Sequence, residues 1–192
     1  MSTQTRYFDL TDNMQIPGRW VLSQLDVDDR GQPMDPWQYD RGERLHLEGV
    51  QLIGIGHPGI ALDFSLTELA IPVVSGRVVS IFKHLGLLDE VQFIPARVEG
   101  LSEPYFILNT LRIIRCIDDA RCEEVLYWRP EDERPDKLGK YRNVVGLKVD
   151  PARVGGANIF RPWGWIVVLL VSERVKLALE AEGITGPLFI EA

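Results

Sequence analysis

The sequence has few of the residues from which metal centres and catalytic sites are built. Its 192 residues include two cysteines and three histidines. The spacing of Cys116 and Cys122 fits no zinc-binding or redox motif, so both are predicted to be free thiols. The sequence contains no His-x-x-x-His pair, no Cys–His pairing and no Gly-x-Ser-x-Gly nucleophile motif. We therefore predict no catalytic residue, no metal and no cofactor.

Long apolar segments are also missing. The longest strongly apolar run covers residues 166–171, far below the ~20 residues that a membrane-spanning helix needs. The first nine residues lack the apolar centre of a secretory signal peptide. These features predict a cytoplasmic protein with no membrane partner.

Basic residues are outnumbered. There are 21 Lys and Arg residues against 28 Asp and Glu residues, which gives a formal net charge of -7. A surface that holds nucleic-acid phosphates needs clustered basic residues, so we expect no nucleic-acid partner. An acidic protein instead suits a basic partner, although net charge also serves to keep a protein soluble and monomeric. Composition alone favours this second interpretation and a monomer.

The composition otherwise predicts one folded unit. An apolar fraction of 45% and a charged fraction of 26% are typical of a globular domain. We predict a single domain over residues 1–192. Turn signals such as Pro17-Gly18 and Asp35-Pro36 crowd residues 1–44, which we expect to be irregular apart from one strand at 20–25. Residues 45–192 are expected to form the main core.

Two segments of the chain repeat one pattern. Val74-Ser75-Gly76-Arg77-Val78 and Val171-Ser172-Glu173-Arg174-Val175 share Val-Ser-x-Arg-Val. Each is followed by an amphipathic segment that ends at a glycine, and then by a strand-like segment that contains Phe-Ile. The repeat predicts two strand–cap–helix–strand units, with Ser75 and Ser172 as helix caps. The predicted fold class is α+β, with both units packed on a mixed or mostly antiparallel sheet.

The arginines of this pattern occupy the second helical position, where the helix dipole favours an acidic residue. An ion pair that ties each helix to the sheet is the favoured explanation. A place on a binding surface is the alternative. Arg77 and Arg174 are therefore candidate partner-binding residues.

The segment before the second helix is apolar. Residues 166–171 predict a strand buried on both faces, ending at the Ser172 cap. Trp163 and Trp165 precede that run, and Gly164 between them would place both rings on one face of an extended segment. Both tryptophans are candidates either for the core or for contact with a partner.

Two acidic segments precede this region. Charged loops that contain proline are usually only solvated, but acidic groups would also attract a cationic partner. The candidate partner-binding residues are Asp118, Asp119, Glu123, Glu124, Glu131, Asp132 and Glu133.

A glycine-rich stretch, Gly54-Ile55-Gly56-His57-Pro58-Gly59, matches the Gly-x-Gly-x-x-Gly dinucleotide fingerprint. That fingerprint requires a long helix directly after it. The segment that follows alternates in polarity and stops at Pro72, which favours a hairpin or bulge between strands. A small-ligand or nucleotide-binding protein, or an enzyme that uses this loop, is the alternative function.

Several short motifs occur in a characteristic order. They are Ile71-Pro72-Val73-Val74-Ser75-x-Arg77, residues 105–118, Asn158-Ile159-Phe160-Arg161 and residues 171–186. This array, from about residue 45 to the C-terminus, resembles the eleventh immunity-protein family of bacterial polymorphic toxin systems. The resemblance implies a cytoplasmic, non-enzymatic α+β protein that binds and neutralises a toxin encoded beside it. The chain departs from the family pattern at Gly76, where an acidic residue is usual; Glu173 keeps that residue in the second copy.

Overall fold

Strands dominate the structure. A computed structural model describes residues 5–192, with the backbone but not the side chains of residues 24–26. The strands are β1 (Tyr7–Asp12), β2 (Val21–Asp28), β3 (Gln51–His57), β4 (Phe64–Leu66), β5 (Pro72–Ser75), β6 (Val91–Val98), β7 (Tyr105–Thr110), β8 (Ile113–Ile114), β9 (Glu124–Tyr127), β10 (Tyr141–Val145), β11 (Ile159–Pro162), β12 (Leu170–Ser172) and β13 (Pro187–Glu191). The helices in the described part of the chain are α1 (Gly76–His84), α2 (Pro151–Val154) and α3 (Glu173–Ala181).

Six strands form a nearly closed barrel in the order β2-β3-β6-β7-β5-β4. A parallel bridge between Leu22 and Thr67 brings the last strand of this sheet back to the first. The barrel interior is apolar and includes the fully buried side chains of Trp20, Ile53 and Ile107. The Trp20 indole N–H donates to the Ser65 hydroxyl at 2.8 Å, so the largest interior side chain has its polar atom satisfied.

A second sheet has the order β13-β1-β12-β11-β8. Helices α1 and α3 share one apolar cluster with this sheet and with the barrel wall; Phe8, Val74, Phe82, Val171 and Leu179 all belong to it. Most strand pairs are antiparallel, and β3–β6 and β8–β11 are parallel. The predicted α+β class with a mixed, mostly antiparallel sheet is confirmed.

The two predicted strand–cap–helix–strand units are present and have the same topology. One is β5–α1–β6 in the barrel, and the other is β12–α3–β13 in the second sheet. In each unit an antiparallel strand lies between the two unit strands, and that strand is β7 in the first unit and β1 in the second. The registers also correspond, because Tyr105 lies opposite Ser75 and Tyr7 lies opposite Ser172. The N-terminal strand therefore completes the C-terminal unit.

Residues 1–44 contain one strand more than predicted. The irregular structure predicted there describes the connections, but β1 and β2 lie within the same region. The strand predicted at 20–25 corresponds to β2, and β1 was not predicted. Its partners β12 and β13 lie at the other end of the chain, so no local pattern reveals the pairing.

An ion pair of the second unit has no counterpart at Gly76 in the first. In the second unit, Glu173 forms an ion pair with Arg6, the residue just before β1. The corresponding positions of the first unit are Gly76 and Pro104. Both members of that ion pair are replaced together.

The repeated arginines join the two helices. The Nη2 of Arg77 donates to the carbonyl of Glu182, the C-cap residue of α3, at 2.6 Å. The Nη2 of Arg174 donates to the carbonyl of Leu85, the C-cap residue of α1, at 2.9 Å. Each arginine thus satisfies an orphan carbonyl at the negative end of the neighbouring helix. The predicted ion pair with the sheet is present for Arg77, which lies 2.8 Å from the carboxylate of Asp63 just before β4.

The two serines at the helix starts behave differently. Ser172 caps α3 as predicted, since its hydroxyl oxygen accepts from the Val175 N–H at 3.4 Å. Ser75 occupies the N-cap position of α1 but makes no side-chain capping bond. Its hydroxyl instead donates to Asp63 at 2.7 Å. The prediction that Ser75 caps its helix is therefore wrong, since its side chain bonds to Asp63 and to no N–H group of α1.

Asp63 is the polar centre of the contact between the units. Its carboxylate accepts from Ser75 and Arg77 of the first unit, and from the N–H and hydroxyl of Thr185 in the second, both at 3.0 Å. Burial disfavours the charged form, but the hydrogen bonds from Thr185 and Ser75 and the charge of Arg77 outweigh it. The pKa of Asp63 is therefore held below its ordinary value of 3.8.

We predict that Asp63→Asn destabilises the protein by about 1 to 2 kcal/mol near neutral pH, because an amide cannot accept the same set of hydrogen bonds. The folded-state pKa of Asp63 is lowered, so its contribution is complete above pH 3.8 and disappears as the pH falls through the folded-state pKa. Urea unfolding of both proteins at several pH values measures the difference. A gap that does not shrink in acid would contradict this role of the carboxylate.

Candidate partner-binding surface

A hairpin projects from the body of the protein and carries most of the predicted acidic residues. Strands β9 and β10 form a two-stranded sheet of their own, and neither contains a buried residue. We call residues 118–145 the arm. Short 3-10 turns at Pro130–Asp132 and Pro135–Lys137 shape its tip. An isolated bridge between Ile117 and Val149 closes its base.

Two tyrosines anchor the arm through one carboxylate. Asp119 accepts a hydrogen bond from the hydroxyl of Tyr127 and another from that of Tyr141, the latter at 2.8 Å. The two rings lie 4.9 Å apart between centroids. Burial, together with the Asp119 carboxylate, raises the pKa of both tyrosines. Both hydroxyls therefore stay protonated at neutral pH and continue to donate.

The structure divides the predicted acidic residues into two groups. Asp119 accepts the two tyrosine hydrogen bonds, and three more acidic residues form an ion pair or a hydrogen bond with a residue of the arm. These pairs are Asp118–Arg121 at 3.8 Å, Glu124–Asn143 at 2.9 Å and Asp132–Arg142 at 2.7 Å. Glu123, Glu131 and Glu133 are exposed, and their side chains make no ion pair or hydrogen bond with the part of the chain whose side chains are described, residues 5–23 and 27–192. These three carboxylates remain available to a partner.

An aromatic residue that the sequence analysis did not select lies among the charges of the arm. Trp128 is half-buried, with the cationic groups of Arg134, Lys137 and Arg142 at 6.0, 4.9 and 5.5 Å from its ring. The available signal was the presence of several basic residues close after this tryptophan. Their spacing is not regular, because Arg134 and Lys137 lie at the second 3-10 turn whereas Arg142 lies on β10.

The loop between β11 and β12 corrects the prediction for residues 163–171. Gly164 adopts a φ of +80° in a turn, so Trp163 and Trp165 do not lie on one face of an extended strand. Both tryptophans are half-buried, which places neither wholly in the core. The strand is confined to Leu170–Ser172, and Val167 is 61% exposed.

The physical reason for this loop is a buried arginine. The Nη1 of Arg161 donates to the carbonyl of Ile166 at 2.7 Å, which bends the chain back before β12. Its Nη2 lies 3.2 Å from the Asp40 carboxylate. Burial raises the pKa of nearby Asp9 to about 6, although the Leu169 backbone and the Arg161 charge oppose the shift. Two carboxylates and one guanidinium therefore support the loop from inside.

The arm and this loop meet. The Tyr141 N–H donates to the Gly164 carbonyl at 3.2 Å, and a Cβ on Gly164 would lie 3.1 Å from the Tyr141 ring. Between arm and loop is a cavity of about 210 Å³, whose lining includes Arg115, Tyr141 and Trp163. We call the arm together with residues 163–167 the contact surface. It unites the predicted acidic residues with both predicted tryptophans.

Arg77 and Arg174 lie elsewhere. They belong to the α1–α3 contact, where Arg77 also lines a groove of about 420 Å³ between the helices. Their hydrogen bonds to the opposite helix ends account for both side chains. They take no part in the contact surface.

The glycine-rich stretch forms no nucleotide cradle. Gly54 and Gly56 lie within β3, and the register shift opposite Val21 and Leu22 marks the predicted bulge at Gly56. The next helix begins only at Gly76. Within the described residues, no group of three or more potential metal ligands is found. No helix there is long and apolar enough to cross a membrane.

The buried carboxyl beside Arg161 predicts a pH dependence. The folded-state pKa of Asp9, about 6, exceeds its ordinary value of 3.8, so the folded state gains stability as the pH falls through 6 towards 3.8. Asp9→Asn cannot titrate. We expect the stability of the wild type relative to Asp9→Asn to rise by on the order of 2 kcal/mol between pH 7 and pH 4. Chemical unfolding at each pH measures this, and parallel profiles would contradict it.

Comparison with known proteins identifies the family of this chain. Among curated proteins, none matches this sequence. The profile described as "Immunity protein family (Imm11)" matches residues 6–192, which begin just before β1 and include both repeated units. The chain belongs to the Imm11 immunity protein family.

Proposed function

We propose that this immunity protein neutralises one cognate toxin of a polymorphic toxin system by binding it directly, without catalysis, through the contact surface. Membership of the family implies toxin neutralisation. One observation supports the choice of this surface. The arm is ordered by its own hydrogen bonds, although neither of its strands contains a buried residue.

The arm does little for the stability of the fold. A two-stranded sheet that buries no residue is marginal in water, because it removes little apolar surface from solvent. The tyrosine–Asp119 hydrogen bonds and the Asp132–Arg142 pair nevertheless hold it in one shape. A preformed shape lowers the entropic cost of association, which favours a binding role.

The exposed residues of the contact surface suit a protein partner. Tyrosine, tryptophan and arginine are the residue types that most often dominate binding energy at interfaces. Tyr127 and Leu138 are 40% and 55% exposed, and Val167 of the adjacent loop is 61% exposed. Burial of these apolar groups by a partner would supply a driving force that the free protein leaves unused.

The charge of the surface supports a basic toxin. The arm contains eight acidic and six basic residues, and the whole chain has a net charge of -7. Glu123, Glu131 and Glu133 have no counter-charge of their own within the described residues. Such carboxylates attract a cationic surface and raise the rate of association at low salt.

Co-expression tests the function itself. We expect the product of the toxin gene encoded beside this protein to arrest growth when expressed alone, and this protein to restore growth. Mixing the two purified proteins should yield a stable complex on size-exclusion chromatography. A product that arrests growth equally with and without this protein would rule the proposal out.

A matched pair of leucines tests the surface. Leu138 on the arm is 55% exposed and Leu177 on α3 is 54% exposed. We predict that Leu138→Ala weakens toxin binding by about 1 kcal/mol, roughly fivefold in Kd, because truncation removes apolar area buried only in the complex.

Leu177→Ala serves as the control, with Kd unchanged in calorimetric titration. Both substitutions remove an exposed side chain of the same size, so their effects on folding stability should be similar. Equal losses of affinity in the two variants, or a loss confined to Leu177→Ala, would place the toxin elsewhere.

A further inference from the structure

We infer that the cavity between the arm and the β11–β12 loop receives one carboxylate side chain of the bound toxin, and that Arg115 is the residue that holds it. This inference rests on the proposed function and adds the chemistry of one anchor point. It concerns a residue that lies between β8 and the arm.

Arg115 has the features of a prepared carboxylate site. Its guanidinium carbon lies 3.3 Å from the centroid of the Trp163 ring, so the group stacks on the indole face. Among the side chains that the structure describes, those of residues 5–23 and 27–192, none forms an ion pair or a hydrogen bond with the side chain of Arg115. Stacking on a ring fixes the plane of a guanidinium and leaves its N–H edge open for two parallel bonds to a carboxylate.

The platform beneath Arg115 is itself held in place. The N–H of Trp163 donates to the carbonyl of Ile114 at 2.8 Å, directly beyond the parallel pairing of β8 with β11. The following Gly164 is fixed against Tyr141. Residues on both sides of the stacked pair are therefore tied to neighbouring strands, which limits the reorganisation required on binding.

The other described residues that line the cavity do not compensate the charge of Arg115. Arg153 also lines the cavity, but its Nε lies 3.0 Å from the Asp150 carboxylate and its Nη1 donates to the Ile117 carbonyl at 3.1 Å. The hydroxyl hydrogens of Tyr127 and Tyr141 point to Asp119. Among the described residues that line the cavity, Arg115 is thus the one free cation that an entering anion would meet, which matches one carboxylate.

A polyanionic ligand fits poorly. The cavity holds about 210 Å³, enough for a short side chain, and the arm beside it carries eight acidic residues. Those carboxylates repel a nucleic-acid backbone as it approaches. They tolerate a single carboxylate on an otherwise basic protein. The toxin interface is thus expected to present basic groups opposite Glu123, Glu131 and Glu133, and one Asp or Glu opposite Arg115.

Charge reversal tests this anchor with the purified product of the adjacent toxin gene as the ligand. Arg115→Glu should raise Kd at least about tenfold, as removal of one partner of an interfacial charge pair does. The exposed Arg97 on β6 is the control, since Arg97→Glu makes the same change in net charge outside the contact surface. Arg97→Glu should leave Kd within about twofold of wild type.

Two further measurements keep the test decisive. Arg115→Lys keeps the charge but not the planar N–H edge, so it should weaken binding to an intermediate extent and would carry the test if Arg115→Glu were poorly folded by circular dichroism. A scan of toxin Asp and Glu residues to Lys should find one substitution that restores affinity for Arg115→Glu while weakening the wild-type complex.

The outcomes separate this inference from the proposed function. Absence of any complex with the wild type would defeat the proposed function. A wild-type complex whose affinity is unchanged by Arg115→Glu and by Arg115→Lys would leave the function standing and overturn the inference. Equal losses for Arg115→Glu and Arg97→Glu would show a general charge effect and overturn it as well. So would a toxin scan without a restoring position.

Discussion

The contact between α1 and α3 is the constraint on which the rest of the structure depends. Each helix packs its apolar face on its own sheet, and the two helices share one apolar cluster between those sheets. Arg77 and Arg174 each bond to the C-terminal carbonyl of the opposite helix, and Asp63 adds a polar link to Thr185. The barrel and the second sheet are joined here, because an arginine at the start of each helix donates a hydrogen bond to the free carbonyl at the end of the other helix.

This view gives physical meaning to the motifs that resemble the family. Ser75, Arg77, Ser172 and Arg174 all act within or between the two units. Asn158 belongs with them, since its N–H donates to the buried carboxylate of Glu90 at 2.7 Å. Gly186 does too, because a Cβ there would lie 2.0 Å from the Phe64 carbonyl oxygen. The motifs specify the scaffold, whereas the contact surface lies on connections between scaffold strands.

Local patterns in the sequence predicted what local physics determines. The repeated Val-Ser-x-Arg-Val predicted both units, and the two acidic segments indicated the residues that the arm carries. The pairing of β1 could not be predicted, because its partners are distant in sequence. The apolar run at 166–171 predicted a longer strand than exists, because the buried Arg161 binds the carbonyl of Ile166 at the start of that run and bends the chain there. Arg115 lies within the motif at residues 105–118, but nothing in that motif predicts its contact, and only the fold stacks it on Trp163.

The position of β1 between β12 and β13 has a consequence for synthesis of the protein. During translation β1 leaves the ribosome long before either neighbouring strand exists, so the second sheet cannot assemble until β12 and β13 have been made. The barrel strands, in contrast, all precede the arm and can pair earlier. Loop 163–167 is fixed between β11 and β12 and therefore takes its final shape after the arm has been made. A nascent chain carries the arm before it can carry the whole contact surface, which is complete only once β11, loop 163–167 and β12 have also been made.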